Sequence, residues 1–163
     1  MASDAVISEC GRYRYWLERE ISSPSRIGLI VFVMLNPSTA DAEKDDPTIR
    51  RCMAYAAREG AAVMEVVNLY AYRTKSPEVL KKAGYPPGPD NVVWVMDAVL
   101  DADVVVCAWG TKAEPKAAAG FLAAAKLCES EWKLHALHVN GDGSPGHPLF
   151  LKADAPLVRW PSE

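Results

Sequence analysis

The chain has 163 residues, of which 50% are apolar and 24% are charged, and this is the composition of one globular domain with a sizeable core. Its formal net charge of -3 argues against a uniformly basic nucleic-acid-binding surface, although a local basic patch remains compatible with it. No apolar run approaches the roughly 20 residues of a membrane helix, and the first residues lack the basic start and apolar block of an export signal. We therefore expect a single domain over residues 1–163 and no membrane partner.

The four cysteines lack the C-x-x-C spacing of metal or redox sites and are scattered through predicted core elements. They are Cys10, Cys52, Cys107 and Cys128. Small thiols of this kind are commonly buried in cores, and they stay reduced in the cytoplasm. The pattern predicts reduced, buried thiols and a cytoplasmic protein.

Charged and aromatic residues alternate over residues 12–18, and this alternation predicts an edge strand or one half of a hairpin. Arginines beside aromatic rings can bind single-stranded nucleic acid by stacking. The same alternation is more often produced by a strand with one solvated and one packed face.

A run of apolar residues at 29–35 predicts a strand that is buried on both faces. A polar loop follows over residues 36–46, which is longer than the roughly two to six residues that usually connect a strand to a helix. Asp46 as an acidic N-cap and Pro47 at the first helical position predict a helix that continues to Glu59 and ends at Gly60. The loop length favours a binding loop.

Arg50 and Arg51 fall in the first turns of this predicted helix. A cation near a helix N-terminus is slightly unfavourable, because the helix dipole is positive there. Their position therefore raises the expectation that one of them meets an anion, although charges at such positions usually lie in solvent.

The rest of the chain alternates between predicted strands and helices. Strands are expected at 61–69, 104–109 and 132–139, and helices at 77–84, 91–102 and 115–128. The middle helix carries apolar residues at helical spacing, and we expect these on one packed face: Val92, Val95, Met96, Val99 and Leu100. The order predicts an α/β fold, a three-layer α/β/α sandwich around a mainly parallel four-stranded sheet, with an N-terminal edge hairpin or strand.

Polar segments follow each predicted strand, and parallel strands place their carboxyl ends at one edge, where α/β proteins bind ligands. The segments begin at Asn36, Asn68, Trp109 and Asn140, and the last one reaches His147. We therefore expect four distant segments to meet in one cleft.

Several familiar chemistries are absent from the sequence. There is no phosphate-binding loop, no dinucleotide fingerprint and no G-x-S-x-G elbow. His135 and His138 are three apart in a predicted strand, so they point to opposite faces and do not suggest a metal pair. We expect no metal and no cofactor, and His147, in a glycine-rich loop, is the better functional histidine.

Five segments together resemble a bacterial and phage family of unknown function, number 1643: LNPSTAD, DDPTIRRC, VVNLYAYR, AWG and GSPGHPLFL. The layout also distantly resembles the uracil-DNA glycosylase superfamily. That superfamily has an Asn-Pro or Asp-Pro motif after the first strand, an asparagine at the tip of the second and a His-Pro motif after the last. Asn36-Pro37, Asn68 and His147-Pro148 occupy the corresponding places here.

The resemblance implies roles for specific residues. Asn36 holds a water molecule, Asn68 reads the base and His147 stabilises the leaving base, while Asp41, Asp45 or Asp46 supplies a general base. Base or substrate contacts fall on Pro37, Ser38, Asn68, Tyr70 and Trp109, and phosphate contacts on Arg50, Arg51, Arg73 and Lys75. Two positions depart from the superfamily: Asn36 replaces the aspartate of its most active members, and no serine follows Pro148.

The sequence therefore predicts a protein that recognises a pyrimidine or modified base in DNA or in a nucleotide, with hydrolysis of the N-glycosidic bond as its reaction. Two alternatives stay open. The first is a non-catalytic module that binds a nucleotide or modified base, and the second is an enzyme acting on free nucleosides or nucleotides. Nucleic acid or a nucleotide is the expected partner in each case.

Overall fold

A seven-stranded mixed sheet forms the centre of the computed structural model, which describes residues 2–22 and 24–162. The strands in chain order are β1 Ser3–Ile7, β2 Arg14–Glu20, β3 Ile27–Met34, β4 Ala61–Asn68, β5 Val104–Cys107, β6 Leu134–Ala136 and β7 Val158–Arg159. Across the sheet they lie in the order β1-β2-β4-β3-β5-β6-β7. The four central strands β4, β3, β5 and β6 are parallel, whereas β1, β2 and β7 pair antiparallel with their neighbours.

The α/β class is confirmed. The sheet has seven strands, whereas the sequence predicted a sheet of four strands with an N-terminal edge hairpin or strand. The three further strands are β1 and β2 of the N-terminal hairpin, for which an edge hairpin or strand was predicted, and β7, which was not predicted. The predicted hairpin half is β2, which lies inside the sheet between β1 and β4, so the edge position belongs to β1. The last predicted strand was too long: residues 131–133 form a 3₁₀ helix, and Trp132 is exposed.

The structure describes four α-helices: α1 Pro47–Glu59, α2 Pro77–Lys82, α3 Asn91–Asp101 and α4 Pro115–Leu127. The predicted limits of α1 are confirmed. The carboxylate of Asp46 accepts a hydrogen bond from the backbone N–H of Ile49 at 2.8 Å and caps the helix. Gly60 ends it in the left-handed conformation, with φ of +77°, which glycine adopts without steric cost.

Side chains alternate along the central strands and build a core on each face of the sheet. Val31, Val33 and Val67 pack on the face covered by α3 and α4, whereas Met64 and Val66 pack on the face covered by α1. Asn68 has the same parity as Met64 and Val66. The alternation therefore directs its side chain to the α1 face, at the carboxyl end of β4.

Two predictions about the core were wrong in part. Helix α3 buries Val95, Ala98 and Val99 in the core, and Met96 packs against them partly buried, as predicted. Val92 is 72% exposed and Leu100 is also exposed, because a single helix contacts a sheet along a narrow stripe. Of the four cysteines, Cys52 and Cys107 are buried, whereas Cys10 and Cys128 are exposed because both lie in turns outside the packed layers.

Candidate functional site

A cleft of about 800 Å³ lies at the carboxyl ends of β3, β4 and β5. It is lined by Asn36, Asn68, Trp109, Asn140 and His147, so each of the four predicted polar segments contributes to it. Pro37 and Ser38 also line it. The structure brings these residues together because the strands before the first three segments are parallel and end at the same edge.

Asn68 is the most unusual residue of the cleft. Its side chain is only 1% exposed, and neither Nδ2 nor Oδ1 has a hydrogen-bond partner among the described residues. Its backbone carbonyl, in contrast, is fixed by a 2.8 Å hydrogen bond from the side-chain amide of Asn91. A buried carboxamide without partners is costly, by about 1–3 kcal/mol. This combination is typical of a group that is held in place for a ligand.

The amide nitrogen of Asn36 is engaged by the protein itself. Nδ2 donates to the backbone carbonyls of Thr74 at 2.9 Å, Pro37 at 3.1 Å and Tyr72 at 3.4 Å. These bonds fix which end of the carboxamide is the acceptor. Asn36 can therefore offer the cleft an acceptor oxygen, which suits the binding of a water molecule or a donor on a ligand.

His147 is held in one tautomer by the backbone. Its Nδ1 accepts a hydrogen bond from the backbone N–H of Leu149 at 3.2 Å, so in the neutral ring the proton lies on Nε2. Burial lowers the pKa of His147, and the charge of Asp46 opposes that shift. The neutral form of His147 is therefore favoured, and in that form its Nε2–H is the hydrogen-bond donor. The ring of Phe150, which is 82% exposed, lies 5.4 Å from its own.

Helix α1 holds the segment that carries His147. Arg51 donates hydrogen bonds to the carbonyls of Pro148 and Leu151, Tyr55 donates to Lys152, and Arg58 donates to the carbonyls of Ala153 and Ala155. One face of the helix is thus bonded to the backbone of 148–155. These bonds fix the wall of the cleft from which the imidazole projects.

Among the three aspartates considered as a general base, Asp46 alone lines the cleft. Its carboxylate accepts from the backbone N–H groups of Ile49 at 2.8 Å and Ala40 at 3.3 Å. Asp41 accepts instead from Glu43 and Lys44, which lowers its pKa. Asp45 pairs with Arg19 at 2.9 Å. Of these three aspartates, only Asp46 can therefore serve as a base in the cleft.

The described residues that line the cleft include three strong cations, Arg14, Lys75 and Lys112, and one acid, Asp46. The local charge is therefore positive although the chain as a whole is acidic. This favours an anionic ligand or the phosphates of a nucleic acid.

The other three predicted phosphate-binding residues are absent from the cleft lining and bond to the protein backbone instead. Arg50 donates to the carbonyl of Asp45, Arg51 to the 148–151 segment, and Arg73 to the carbonyls of Ser38 and Gly11. Carbonyl oxygens rather than an anion thus receive the side chains of Arg50 and Arg51. Arg73 thus links the loop after β3 to the turn before β2.

Tyr70 and Trp109 occupy different surroundings. Trp109 is buried, lines the cleft and packs edge-on against Phe121 and Trp160. Tyr70 faces a second cavity, of about 610 Å³, where its hydroxyl accepts from the Glu114 N–H and donates to the carboxylate of Glu114. Burial raises the pKa of Tyr70 to about 12. The cleft therefore contains one of the two predicted stacking residues.

Sequence reasoning did not assign Arg14, Lys112 and His138 to the cleft, which they line. Lys112 follows Gly110 in a loop after a strand, so the strand-end rule could have found it. No local sequence pattern places Arg14 in the cleft, because its position depends on the pairing of β2 with β4. His138 lies in the predicted strand 132–139, and its spacing from His135 argued only against a metal pair.

The described residues contain no group of three or more His, Cys, Asp or Glu side chains that could hold a metal ion. Among the same residues, none of the helices has the length and apolar character needed to cross a membrane.

A family model described as "Protein of unknown function (DUF1643)" matches residues 14–149. The chain belongs to the DUF1643 family. This confirms the expected family, and the matched span begins at Arg14 and includes Asn36, Asn68 and His147. Searches of curated proteins and of solved structures gave no match to this DUF1643 chain. The likeness to uracil-DNA glycosylases stays a prediction.

Proposed function

We propose that the cleft binds a pyrimidine or modified base, carried by DNA or by a nucleotide, and that it hydrolyses the N-glycosidic bond of that base. This is a uracil-DNA glycosylase-like activity. The observation that carries the proposal is the Asn68 carboxamide, which is buried at the cleft and whose two polar atoms have no hydrogen-bond partner among the described residues.

Asn68 suits a pyrimidine edge because the carboxamide offers a donor and an acceptor side by side. The edge of uracil presents an N–H donor next to carbonyl acceptors, so both polar atoms of Asn68 can be satisfied at once. Binding then offsets the desolvation penalty that this buried side chain carries without hydrogen-bond partners among the described residues. A ligand without that polar edge leaves the penalty in place, and this discriminates against it.

A base in duplex DNA has to leave the stack before it can reach such a buried group, at a cost of a few kcal/mol. The volume of the cleft, about 800 Å³, is that of a ligand pocket and accommodates a nucleotide. Lys75 and Lys112 line the cleft and are exposed, so they are available to phosphates on either side of the nucleotide.

The proposed reaction replaces the bond between the sugar anomeric carbon and the base nitrogen with a bond from that carbon to a water oxygen. The bonding electron pair leaves with the base, and Nε2–H of His147 donates to the base oxygen on which negative charge develops. Asn36 accepts a hydrogen bond from the attacking water, and Asp46 takes the proton that the water loses. A neutral imidazole suits this role because its Nε2–H donates a hydrogen bond although the ring carries no positive charge, and burial favours this neutral form.

A second candidate is a non-catalytic module that binds a nucleotide or modified base in the same cleft. The engagement of both carboxylate oxygens of Asp46 with backbone N–H groups favours it, because an occupied carboxylate is a weaker base. An enzyme acting on free nucleosides or nucleotides uses the same residues but fewer phosphate contacts.

The decisive experiment incubates single-stranded oligonucleotides containing uracil or modified pyrimidines with the protein and scores alkali-labile sites. The proposal expects cleavage by wild type that Asn68→Ala and His147→Asn abolish. Lys126→Gln, on the exposed side of α4, is the matched surface control. If no oligonucleotide in the panel is cleaved and calorimetry shows nucleotide binding that depends on Asn68, the protein is a binding module and not a hydrolase.

The salt dependence of the same reaction separates DNA from small substrates. Activity on DNA should fall steeply with salt, and Lys75→Gln and Lys112→Gln should each make that slope shallower, because each removes a phosphate contact. Hydrolysis of a free nucleoside that is indifferent to salt would identify a small-molecule enzyme.

A further inference from the structure

Arg14 is an arginine buried in the cleft without a full set of partners. It lies on β2, is 2% exposed and lines the cleft together with Asn68. Nη1 donates to the backbone carbonyl of Ala40 at 3.0 Å, whereas the buried Nε has no hydrogen-bond partner among the described residues. A guanidinium presents five N–H donors in a planar fork, so most of its donating capacity is unused here.

The charges around Arg14 leave its own charge poorly compensated. Burial lowers its pKa to about 10, so it is still a cation at neutral pH. Arg73 and Arg19 act on it in the same direction, and the attraction of Asp46 opposes them. The hydrogen bonds of the Asp46 carboxylate go to the backbone N–H groups of Ala40 and Ile49 rather than to Arg14. A buried charge without a hydrogen-bonded counter-ion is strongly unfavourable, and a bound anion would relieve it.

We propose that Arg14 binds an oxyanion of the ligand, a phosphate or a carboxylate, inside the cleft, so that the ligand is an acidic molecule that carries a base. This inference rests on the proposed function, because the oxyanion belongs to the same ligand whose base Asn68 reads. It names the substrate class more narrowly: a nucleotide whose phosphate enters the cleft, or a base with an acidic substituent.

An oxyanion fits Arg14 better than a neutral carbonyl does. Hydrogen bonds between a guanidinium and an oxyanion are charge-assisted and frequently bidentate, and they use neighbouring N–H groups such as Nε and one Nη. The other cations that line the cleft, Lys75 and Lys112, are exposed. They meet a ligand at its solvent side, whereas Arg14 is reached only by a group that has entered.

The test measures dissociation constants by calorimetry for two matched pairs of probes and for inorganic phosphate. Deoxyuridine against deoxyuridine monophosphate tests a phosphate, and uracil against uracil with a ring carboxylate tests an acidic base. The proteins are wild type, Arg14→Lys, Arg14→Gln and Asn68→Ala. Arg159→Gln removes an exposed arginine that does not line the cleft and is the matched control. Thermal melting confirms that each variant is folded, and Arg14→Lys keeps the charge if Arg14→Gln fails to fold.

We expect wild type and Arg159→Gln to bind the acidic member of one pair more tightly than its neutral partner, by roughly tenfold or more. Arg14→Gln should abolish that preference, and Arg14→Lys should reduce it, since lysine lacks the planar fork. The pair that shows the preference identifies the source of the oxyanion. Asn68→Ala should weaken both members of the pair equally.

Other results separate this inference from the proposed function. Equal binding of acidic and neutral probes by wild type and by a folded Arg14 variant overturns the oxyanion site and leaves base recognition standing. Arg14-dependent binding of inorganic phosphate without binding of any base supports the site and contradicts base recognition. Failure of every probe to bind wild type overturns both.

Discussion

The side-chain amide of Asn91 donates a hydrogen bond of 2.8 Å to the backbone carbonyl of Asn68. The same nitrogen donates to the carbonyl of Leu69 at 3.1 Å, so the first residue of α3 fixes the end of β4. One asparagine therefore holds the backbone of another, whose side chain is left unpaired in the cleft. Both asparagines are buried, and the Oδ1 of Asn91 also lacks a partner among the described residues, but only Asn91 uses its side-chain nitrogen to stabilise the protein backbone.

Asn68→Ala and Asn91→Ala should accordingly differ in stability although both remove a buried carboxamide. Asn91→Ala leaves two carbonyls without their donor and should lower the free energy of unfolding by about 1–3 kcal/mol. Asn68→Ala removes atoms that have no partner, so its free energy of unfolding should stay within about 1 kcal/mol of wild type while ligand binding is lost. Urea unfolding checks both values. Equal destabilisation by the two changes would contradict the assignment of Asn68 to the ligand.

Arg51 and Arg50 form a second matched pair on α1. Arg51 bonds to the carbonyls of Pro148 and Leu151 and lies over the ring of Tyr55 at 5.8 Å, whereas the exposed Arg50 bonds to one carbonyl nearby in sequence. Arg51→Ala should lower the free energy of unfolding by about 1–3 kcal/mol and loosen the segment that holds His147. Arg50→Ala should change it by less than about 0.5 kcal/mol. Denaturant unfolding measures the change in stability, and amide exchange of residues 148–152 measures the loosening of the segment. Similar values for both variants would contradict the proposed role of Arg51.

The pH dependence of stability should report the burial of His147. Burial lowers its folded-state pKa below the ordinary value of 6.5, so the unfolded chain binds this proton more readily. Stability is therefore complete above the ordinary value and falls as the pH drops from there to the folded pKa. His147→Asn should remove that part of the pH dependence, as measured by urea unfolding between about pH 7.5 and pH 5.

Nitrogen NMR of the wild-type protein tests the same residue directly. We expect the ring of His147 to titrate below the ordinary value and to carry its proton on Nε2 when neutral, because Nδ1 accepts from Leu149. A proton on Nδ1 at neutral pH would contradict the donor role of this side chain in the cleft.

The four cysteines should react with a thiol reagent in two classes. Cys10 is exposed, and a hydrogen bond with Ser8 at 3.3 Å lowers its pKa, so it should react first. Cys128 is exposed and should follow. Burial raises the pKa of Cys52 and Cys107, so both should react only after unfolding. The count of modified thiols by mass spectrometry, in native buffer and in denaturant, checks this order; rapid labelling of all four in the native protein would contradict the burial of two.

Local sequence signals predicted those features that short-range physics determines. The limits of α1 follow from Asp46, Pro47 and Gly60, because capping and backbone conformation act within a few residues. The buried strands followed from continuous apolar runs, and the shared edge followed from the rule that parallel strands end on one side. That rule predicts that Asn36, Asn68 and His147 meet in one cleft, and all three line it.

Only the tertiary structure determines which polar groups bond to the protein itself and which are available to a ligand. Arg14 enters the cleft because β2 pairs with β4, and nothing within a few residues of Arg14 encodes that pairing. The sequence predicts an anion for Arg50 or Arg51, whereas the fold brings the carbonyls of Pro148 and Leu151 to Arg51. A hydrogen bond depends on which groups meet across the whole chain, whereas a helix end or a buried strand depends on its neighbours. The sequence by itself therefore determined the central buried strands and the edge at which they meet. The folded chain determined that the carboxamide of Asn68 and the Nε of Arg14 have no hydrogen-bond partner there among the described residues.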